Sequence, residues 1–279
     1  MNRRTWMSIT RTRRWIRSLT VGGALAAAPM TAQSSAHVDH AAFDALLHAH
    51  VTNGMVDYGA FKAAPSFRSY LDALNAQDPA TLPRNEQLAF WINAYNAYTI
   101  QLIVKHNERE SIRNINKTAF LKLKGPWSES LAKVGGKSYT LDDIEHKIIR
   151  PTYKEPRIHF ALVCAAMGCP PLRSEAYTGA KLNAQLEDQG AIFIARSPAK
   201  NRVDVGAKTF YHSMIFGYYK SDFGGTIQGS AKFAAKWFPA GSAERALLES
   251  GDFKAVETEY DWTLNSQAKA ARSARGGVK

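Results

Sequence analysis

The longest apolar stretch of the chain, RNEQLAFWINAYNAYTIQLIVKH over residues 84–106, constrains the fold more than any other feature. Its large side chains form two stripes at helical spacing, one through Trp91 and Tyr95 and the other through Phe90 and Ala94. A helix that is apolar on most of its sides is buried on most of its sides. The sequence therefore predicts one long central helix, around which the remaining elements must pack.

Two asparagines, Asn93 and Asn96, interrupt this helix. Helix interiors disfavour asparagine, because its amide competes for backbone groups. Spaced three residues apart, the two side chains share one helix face, and a buried amide without partners costs about 1–3 kcal/mol. Two hypotheses follow. The amides hold neighbouring loop backbones to the helix, or they face a cleft and orient His159 or a ligand there.

Shorter patterns complete the predicted fold. Gly135-Gly136 fits a tight turn between two short strands, and RIHFALVC, residues 157–164, has the composition of a buried strand. The pattern predicts further helices over 41–51, 65–76, 178–197, 210–225 and 230–239, and strands over 202–205 and 253–262. We therefore expect an α+β fold, a helix-rich single domain whose central buried helix packs on a small antiparallel sheet of roughly four or five strands.

The net charge of +12 belongs to the two ends of the chain. Residues 1–36 carry six basic side chains and no acidic ones, and residues 266–279 carry four basic side chains and no acidic ones. Without these ten charges, the body over residues 37–265 carries only +2. A nearly neutral body offers little counterion release to a polyanion, so we expect no nucleic-acid partner.

The first 36 residues have the pattern of an export signal. A basic stretch precedes SLTVGGALAAAPM, an apolar run far below the roughly 20 residues of a membrane span, and small residues up to Ala36 suit cleavage. TRRWIRS, residues 12–18, resembles a twin-arginine signal, although Arg17 stands where an apolar residue is usual. We expect a periplasmic or secreted protein with no transmembrane segment, a globular domain over 37–265 and a disordered basic tail over 266–279.

The chain has two cysteines, Cys164 and Cys169. In an oxidising compartment, a pair five residues apart is a candidate disulfide. Cys164 also ends the predicted strand and enters a glycine–proline loop, which is a common place for a functional residue. It is therefore a candidate nucleophile as well, provided that a base or a positive charge lies near its thiol.

Five motifs resemble the domain-of-unknown-function 547 family: GMVDYGAFK, LAFWINAYNAYTI, YTLDDIEHKIIR, PRIHFALVCAAMGCPPLRSEAYT and YDWTLN. They occur in the family's order from about Gly54 to Asn265. The family is widespread in exported bacterial proteins and in plants, and it has no agreed activity. Plant members carry serine where this chain has Cys169, so the resemblance implies that Cys164 is the more telling thiol.

The order of elements also resembles, remotely, the papain and transglutaminase-like plan. In that plan a central helix supplies a catalytic cysteine and a following strand supplies a histidine. Here the long helix precedes the predicted strand that carries His159, but the helix contains no cysteine. The resemblance implies a hydrolase or transferase acting on amide or peptide bonds, without its usual nucleophile.

His159 and Cys164 cannot form a pair on a regular strand. Residues an odd number apart face opposite sides of a strand, and these two would lie about 16 Å apart along it. If Cys164 reacts, its base would come from His146 or His212, and if His159 acts, its partners would come from the helix that carries Asn93. The structural alternative for His159 is a hydrogen-bonded core histidine.

Four further residues are candidates for the site. Glu145 is an acid–base carboxylate or the partner of a core arginine, and His146 follows it. Arg173 is suited to bind a carboxylate or phosphate, or it forms a surface ion pair. Trp262, in YDWTLN, lines a groove or seals the core.

Taken together, the candidate catalytic residues are His159, Cys164, Asn93 and Glu145, and the candidate binding residues are Asn96, His146, Arg173 and Trp262. The sequence has no HExxH motif, no paired Cys-x-x-Cys and no glycine-rich phosphate loop, so we expect no metal or cofactor. The first hypothesis is an amide-bond hydrolase or transferase. The alternative is a non-catalytic periplasmic binding or scaffold module that holds a peptide or small molecule in the same cleft. The oligomeric state stays open.

Overall fold

Helix α4, Arg84–His106, is the central element of the computed structural model, which describes residues 38–116 and 125–276. Fifteen of its 23 residues are buried, so the central position predicted for it is confirmed. Pro83 precedes its first turn, and Asn107 ends it in the left-handed conformation at φ 47°. The helix begins and ends at the predicted residues.

The chain has a helix-rich α+β fold, and its described residues belong to one compact unit. The other helices are α1 Ala41–His50, α2 Tyr58–Ala63, α3 Pro65–Ala76, α5 Arg150–Tyr153, α6 Leu182–Ile194, α7 Ile215–Tyr218, α8 Ile227–Ala235, α9 Ala243–Ser250 and α10 Gln267–Gly276. A π-helix covers Asp143–Ile149, and 3₁₀ turns cover Pro79–Thr81, Ile112–Asn114, Pro126–Ser128, Pro156–Phe160 and Lys220–Phe223.

The strands within the described ranges are short and form three small sheets. They are β1 Val51–Thr52, β2 Met55–Val56, β3 Ala132–Val134, β4 Lys137–Tyr139, β5 Arg202–Asp204, β6 Thr209–His212 and β7 Lys254–Glu257. The pairs β1–β2, β3–β4 and β5–β6 are antiparallel, while β7 adds to β6 in parallel. The antiparallel pairing was expected, but the strands are divided among three sheets.

The β3–β4 hairpin contacts the central helix. Gly135 and Gly136 form its turn with φ values of 57° and 72°, the left-handed region that glycine adopts without strain. The Tyr98 hydroxyl on α4 donates to the carbonyl oxygen of Lys133 at 2.6 Å. The predicted hairpin and the predicted contact between helix and sheet are therefore both present.

The strand predicted over residues 157–164 is wrong. Pro156–Phe160 is a 3₁₀ turn, and the chain continues through irregular structure to Cys164. The aromatic and β-branched composition correctly indicates burial, since residues 158–163 are all buried. Burial does not specify a strand, however, because the backbone can find its hydrogen bonds elsewhere.

Those hydrogen bonds come from Asn96. Its side-chain amide donates to the carbonyl oxygen of Ala161 at 2.9 Å and accepts from the N–H of Val163 at 2.9 Å. Asn93 makes the same pair of hydrogen bonds to a second loop. Its side-chain amide donates to the Tyr177 carbonyl at 2.8 Å and accepts from the Tyr177 N–H at 2.9 Å. Both asparagines thus hold neighbouring backbones to α4. This is the first of the two hypotheses, in which the amides bind loop backbones and do not face a cleft.

Two further segments differ from expectation. Thr209–His212 forms β6, where a helix is predicted from residue 210. Helix α10 covers most of the tail predicted to be disordered, with Lys269 against the Glu110 carboxylate and the Gln267 amide donating to two main-chain carbonyls. Polar contacts hold this segment, and a composition without large apolar residues does not reveal them.

The predicted export signal, residues 1–36, lies outside the described residues. Across 38–116 and 125–276, none of the helices has both the length and the apolar character needed to cross a bilayer.

We predict that Asn96→Ala lowers the free energy of unfolding by about 2–4 kcal/mol, because it leaves a buried carbonyl and a buried N–H unpaired. Urea denaturation at neutral pH measures this loss. Asn85→Ala is the matched control, since Asn85 is exposed in the first turn of the same helix and should change stability by no more than about 0.5 kcal/mol. Equal stability of the two variants would contradict the role given to Asn96.

Candidate functional site

A cavity of about 140 Å³ lies beside α4, the π-helix and the segment that follows Pro156–Phe160. Five of the eight candidate site residues line it: Glu145, His146, His159, Cys164 and Trp262. The remaining walls are formed by Tyr95, Trp127, Asp142, Leu162, Cys169, Ile215, Tyr218, Tyr219 and Tyr260. The compact turn after residue 156 allows His159 and Cys164 to line one pocket, which a regular strand would have prevented.

His159 is held by a carboxylate that the sequence analysis missed. Its Nε2 lies 2.8 Å from Oδ2 of Asp222, whose two oxygens also accept from Arg150 at 2.7 and 2.9 Å. The Arg150 guanidinium and the His159 bond together hold the pKa of Asp222 well below its usual range. Asp222 is therefore an ionised acceptor, and His159 donates to it through Nε2–H.

This donation leaves Nδ1 of His159 as the atom with a free lone pair. Among the residues that the structure describes, that buried nitrogen has no hydrogen-bond partner. Burial lowers the pKa of His159 to about 4, against the opposing pull of Asp222. At neutral pH the imidazole is uncharged, and it offers one unsatisfied acceptor. An unpartnered buried polar atom is rare enough in a folded protein to require an explanation.

Glu145 faces that nitrogen from the π-helix, with Oε1 3.9 Å from His159 Nδ1. The side chain is 7% exposed, and burial raises the pKa of its carboxyl group, although hydrogen bonds from the Tyr219 and Tyr95 hydroxyls oppose the rise. The Tyr219 ring also stacks on His159 at a centroid distance of 3.8 Å. Burial thus shifts Glu145 towards its protonated form and His159 towards its neutral form.

The π-helix that presents Glu145 has a recognisable start. Thr140 and Asp143 form a reciprocal capping box, in which the Asp143 carboxylate accepts from the Thr140 N–H at 3.0 Å and the Thr140 hydroxyl accepts from the Asp143 N–H at 2.9 Å. The wide turns that follow end in α5, which carries Arg150. π-Helical turns are uncommon and are often found at functional sites. Here the π-helix presents Glu145, and α5, which continues directly from it, presents the arginine that binds Asp222.

Cys164 is joined to Cys169 in a disulfide, so both cysteines of the chain are oxidised. The structure contains the first of the two alternatives for Cys164, the disulfide, and offers no free thiol to act as a nucleophile. The Tyr260 hydroxyl lies 3.1 Å from each sulfur. The disulfide and this hydroxyl form one wall of the cavity.

Three candidate residues lie outside the cavity. The amides of Asn93 and Asn96 are fully engaged by main-chain groups, so neither contacts a ligand in the cavity. Asn96 nevertheless positions the backbone two residues after His159. Arg173 forms ion pairs with Glu175 at 2.5 Å and with Asp188 at 2.7 Å, which is the salt-bridge alternative. His212, the other base considered for Cys164, is buried and donates from Nδ1 to the Ser213 carbonyl at 3.3 Å, away from the cavity.

The residues that sequence reasoning missed are Asp222, Tyr95, Tyr219 and Tyr260. Each was read as part of an aromatic or helical stretch, and only the folded chain brings Asp222 to His159 across 63 positions of sequence. A lone acid within GYYKSDFGG was the available signal. Across the described ranges, no group of three or more histidine, cysteine, aspartate or glutamate side chains is arranged to hold a metal ion.

Fold and site together define a helix-rich α+β protein with a buried carboxylate–histidine centre. A family model described as "Protein of unknown function, DUF547" matches residues 79–194, a stretch that includes Glu145, His159 and the disulfide. This match confirms the resemblance to the family that the motifs within these residues carry. Searches of curated proteins and of solved structures found no match.

We predict that His159 makes the protein less stable as the pH falls from 6.5 to 4. Its pKa is lower in the folded state, so the unfolded chain takes up a proton in this window that the folded chain does not. The loss should approach about 3 kcal/mol at pH 4. Urea denaturation across the window should show a shallower dependence for His159→Gln than for the wild type.

His48→Gln is the control for this measurement, because the His48 side chain is 59% exposed on α1. His40, whose pKa burial also lowers to about 4, keeps part of the dependence in every variant. A His159→Gln curve parallel to the wild-type curve would show that His159 is not held neutral by the fold.

Proposed function

We propose that this protein is an acid–base enzyme, a hydrolase or transferase that acts on an amide bond of a small ligand in the cavity. The observation that carries the proposal is the pairing of His159 Nδ1 with the Glu145 carboxyl group at 3.9 Å. Burial raises the pKa of Glu145 and lowers the pKa of His159, so both shifts favour the uncharged form of the group. Such pairs of displaced titratable groups are typical of acid–base sites.

The separation suits an atom that touches both groups. An oxygen or nitrogen to one side of the pair can lie about 2.8 Å from each, which is an ordinary hydrogen-bond distance. His159 Nδ1 would accept the proton of an attacking water, and Glu145 would donate a proton to the departing amine. Asp222 would hold the imidazole in the required tautomer and stabilise the positive charge that develops on it, as the acid does in a catalytic triad.

Water replaces the thiol of the papain-like plan in this proposal. The central helix carries no cysteine, and Cys164 is bonded to Cys169. The remote papain and transglutaminase likeness therefore extends only to a buried helix and a histidine oriented by a carboxylate. A histidine with a pKa of about 4 is as weak a base as a carboxylate, a group that acts as general base in many hydrolases.

The size of the cavity limits the ligand. Sites for drug-sized molecules usually enclose about 300–1,000 Å³, whereas this one encloses about 140 Å³. A single amide group with a short substituent fits, and the rest of a longer ligand would lie outside. We therefore propose small amides, acylated amino acids or the end of a short peptide as the substrate class.

We also propose that the protein is exported to the periplasm or secreted. The charge and apolar pattern of residues 1–36 supports this, and so does the disulfide, since such bonds persist mainly in oxidising compartments.

The second candidate function is a binding module without catalysis. It is favoured by the aromatic wall of the cavity, where the Trp262 ring lies 4.6 Å from the Tyr260 ring and 6.0 Å from the Trp127 ring. Aromatic faces hold planar or apolar ligand groups without reacting with them. In that case the histidine and glutamate would serve as hydrogen-bonding groups only.

We predict that the wild-type protein hydrolyses or transfers the acyl group of at least one member of a panel of small amides, N-acyl amino acids and dipeptides, followed by mass spectrometry. His159→Gln should lower kcat/KM by about 10²–10⁴-fold, the usual contribution of a general base. Activity should require a pH above about 4, the pKa of His159, and should decline as the pH rises through the raised pKa of Glu145.

His40→Gln is the matched control, because His40 is a partly buried histidine whose pKa is also lowered to about 4, and it lies outside the cavity. Thermal-shift measurements with the same panel separate the two candidate functions. A ligand that stabilises the wild type without turnover, and does so less in His159→Gln, would reject the enzyme in favour of the binding module.

A further inference from the structure

The two sulfurs of the Cys164–Cys169 disulfide differ in how far they can be reached. Both residues line the cavity, but Cys169 is only 2% exposed, while Cys164 is partly exposed. An external thiol that enters the cavity therefore reaches Cys164 more readily, and Cys169 is the sulfur that leaves. A disulfide with one partly exposed cysteine is open to thiol exchange, whereas a disulfide with both cysteines buried is not.

Hydrogen-bond donors are already directed at the sulfur that would leave. The N–H of Cys164 donates to Cys169 Sγ at 3.0 Å, and the Tyr260 hydroxyl lies 3.1 Å from both sulfurs, within reach of the one that leaves. Burial raises the pKa of Tyr260, so its hydroxyl keeps its proton. Sulfur in a disulfide is a weak acceptor, whereas a thiolate is a strong one. These donors thus favour the reduced state of Cys169 more than the oxidised state.

The loop between the cysteines is held in place by contacts other than the disulfide. The N–H of Met167 donates to the Thr263 carbonyl at 2.8 Å, and the N–H of Gly168 donates to the Asp261 carbonyl at 2.7 Å. Gly168 also lies against the Tyr260 ring, where a Cβ would come within 2.8 Å of ring carbon. A disulfide that closes so short a loop contributes comparatively little through chain entropy. Opening the bond can therefore leave the loop and the cavity intact.

We propose that Cys164–Cys169 is an exchange site that accepts two electrons from a dithiol reductant through the cavity. A thiolate of the reductant attacks Cys164 Sγ, the bond between the cysteines breaks, and Cys169 leaves with the electron pair as a thiolate. The second thiol of the reductant, as its thiolate, then attacks the reductant sulfur of the mixed disulfide and releases Cys164. The reductant becomes a disulfide, and its two protons end on Cys164 and Cys169.

The partner class is a protein with a pair of neighbouring cysteines, for which dithiothreitol is the chemical probe. This proposal does not rest on the proposed amide chemistry, since neither His159 nor Glu145 takes part in the exchange. The two can therefore fail separately.

The first test measures reduction of the native wild-type protein by dithiothreitol, with maleimide labelling and mass spectrometry to count free thiols. We expect a rate that rises linearly with dithiothreitol concentration, while circular dichroism stays unchanged. A structural disulfide would be reduced only after unfolding, at a rate independent of dithiothreitol at high concentration. That result would overturn the proposal.

Single-cysteine variants test the direction of attack. In Cys169→Ser the remaining Cys164 thiol should react with a maleimide in the native state, and in Cys164→Ser the remaining Cys169 thiol should be protected. Equal labelling, or faster labelling of Cys169, would show that the cavity does not direct attack to Cys164.

Tyr260→Phe tests the hydroxyl. It should slow native-state reduction about three- to tenfold, because the leaving thiolate loses one hydrogen bond. Tyr218→Phe is the matched control, since Tyr218 lines the same cavity, is 51% exposed, and directs its hydroxyl at Met214. Equal rates for the two variants would remove Tyr260 from the exchange site.

Discussion

The side-chain amide of Asn96 binds a buried backbone segment that has no strand beside it, through the Ala161 carbonyl and the Val163 N–H. Without those two bonds the buried Ala161 carbonyl and Val163 N–H would need other partners, because buried backbone groups are almost always hydrogen-bonded. The irregular path that Asn96 permits brings His159 and Cys164 to the same cavity. The geometry of the site therefore depends on one asparagine in a helix whose other residues mostly serve packing.

Burial orders the charges of the site along a line. Arg150 and Asp222 form a charged pair at the surface side, His159 is neutral behind them, and Glu145, also buried, has a raised pKa. Placing the Arg150–Asp222 charges at the outer end reduces the desolvation cost, because an isolated ion in the interior is far more costly than a partly exposed pair. The inner end then offers a lone pair and a carboxyl group to whatever enters.

Local patterns predicted the elements that local forces determine. The bounds of α4 follow from its apolar run, Pro83 and the left-handed Asn107, and the β3–β4 turn follows from two adjacent glycines. The segment 157–164 was mispredicted, because its composition reports burial and not the source of its hydrogen bonds. The Asp222–His159 pair was missed for a related reason. It is a contact across 63 residues, and nothing near either residue in sequence indicates the other.

The low pKa of His159 also determines what its neighbouring cysteine can do. A papain-type nucleophile needs a thiolate–imidazolium pair, and transferring a proton from a thiol of pKa about 8.5 to an imidazole of pKa about 4 costs about 6 kcal/mol before any attraction between the ions. Even with its disulfide reduced, Cys164 would not be activated by His159 in that way. Disulfide exchange avoids this cost, since the attacking thiolate belongs to the reductant and the leaving thiolate meets donors already in place. In the proposed amide chemistry, the same histidine would accept a proton from water as a weak base that is uncharged at neutral pH. The two chemistries proposed for the cavity, disulfide exchange and acid–base attack of water on an amide, use different nucleophiles. The low pKa of His159 opposes the papain-type thiolate mechanism that the order of elements resembles.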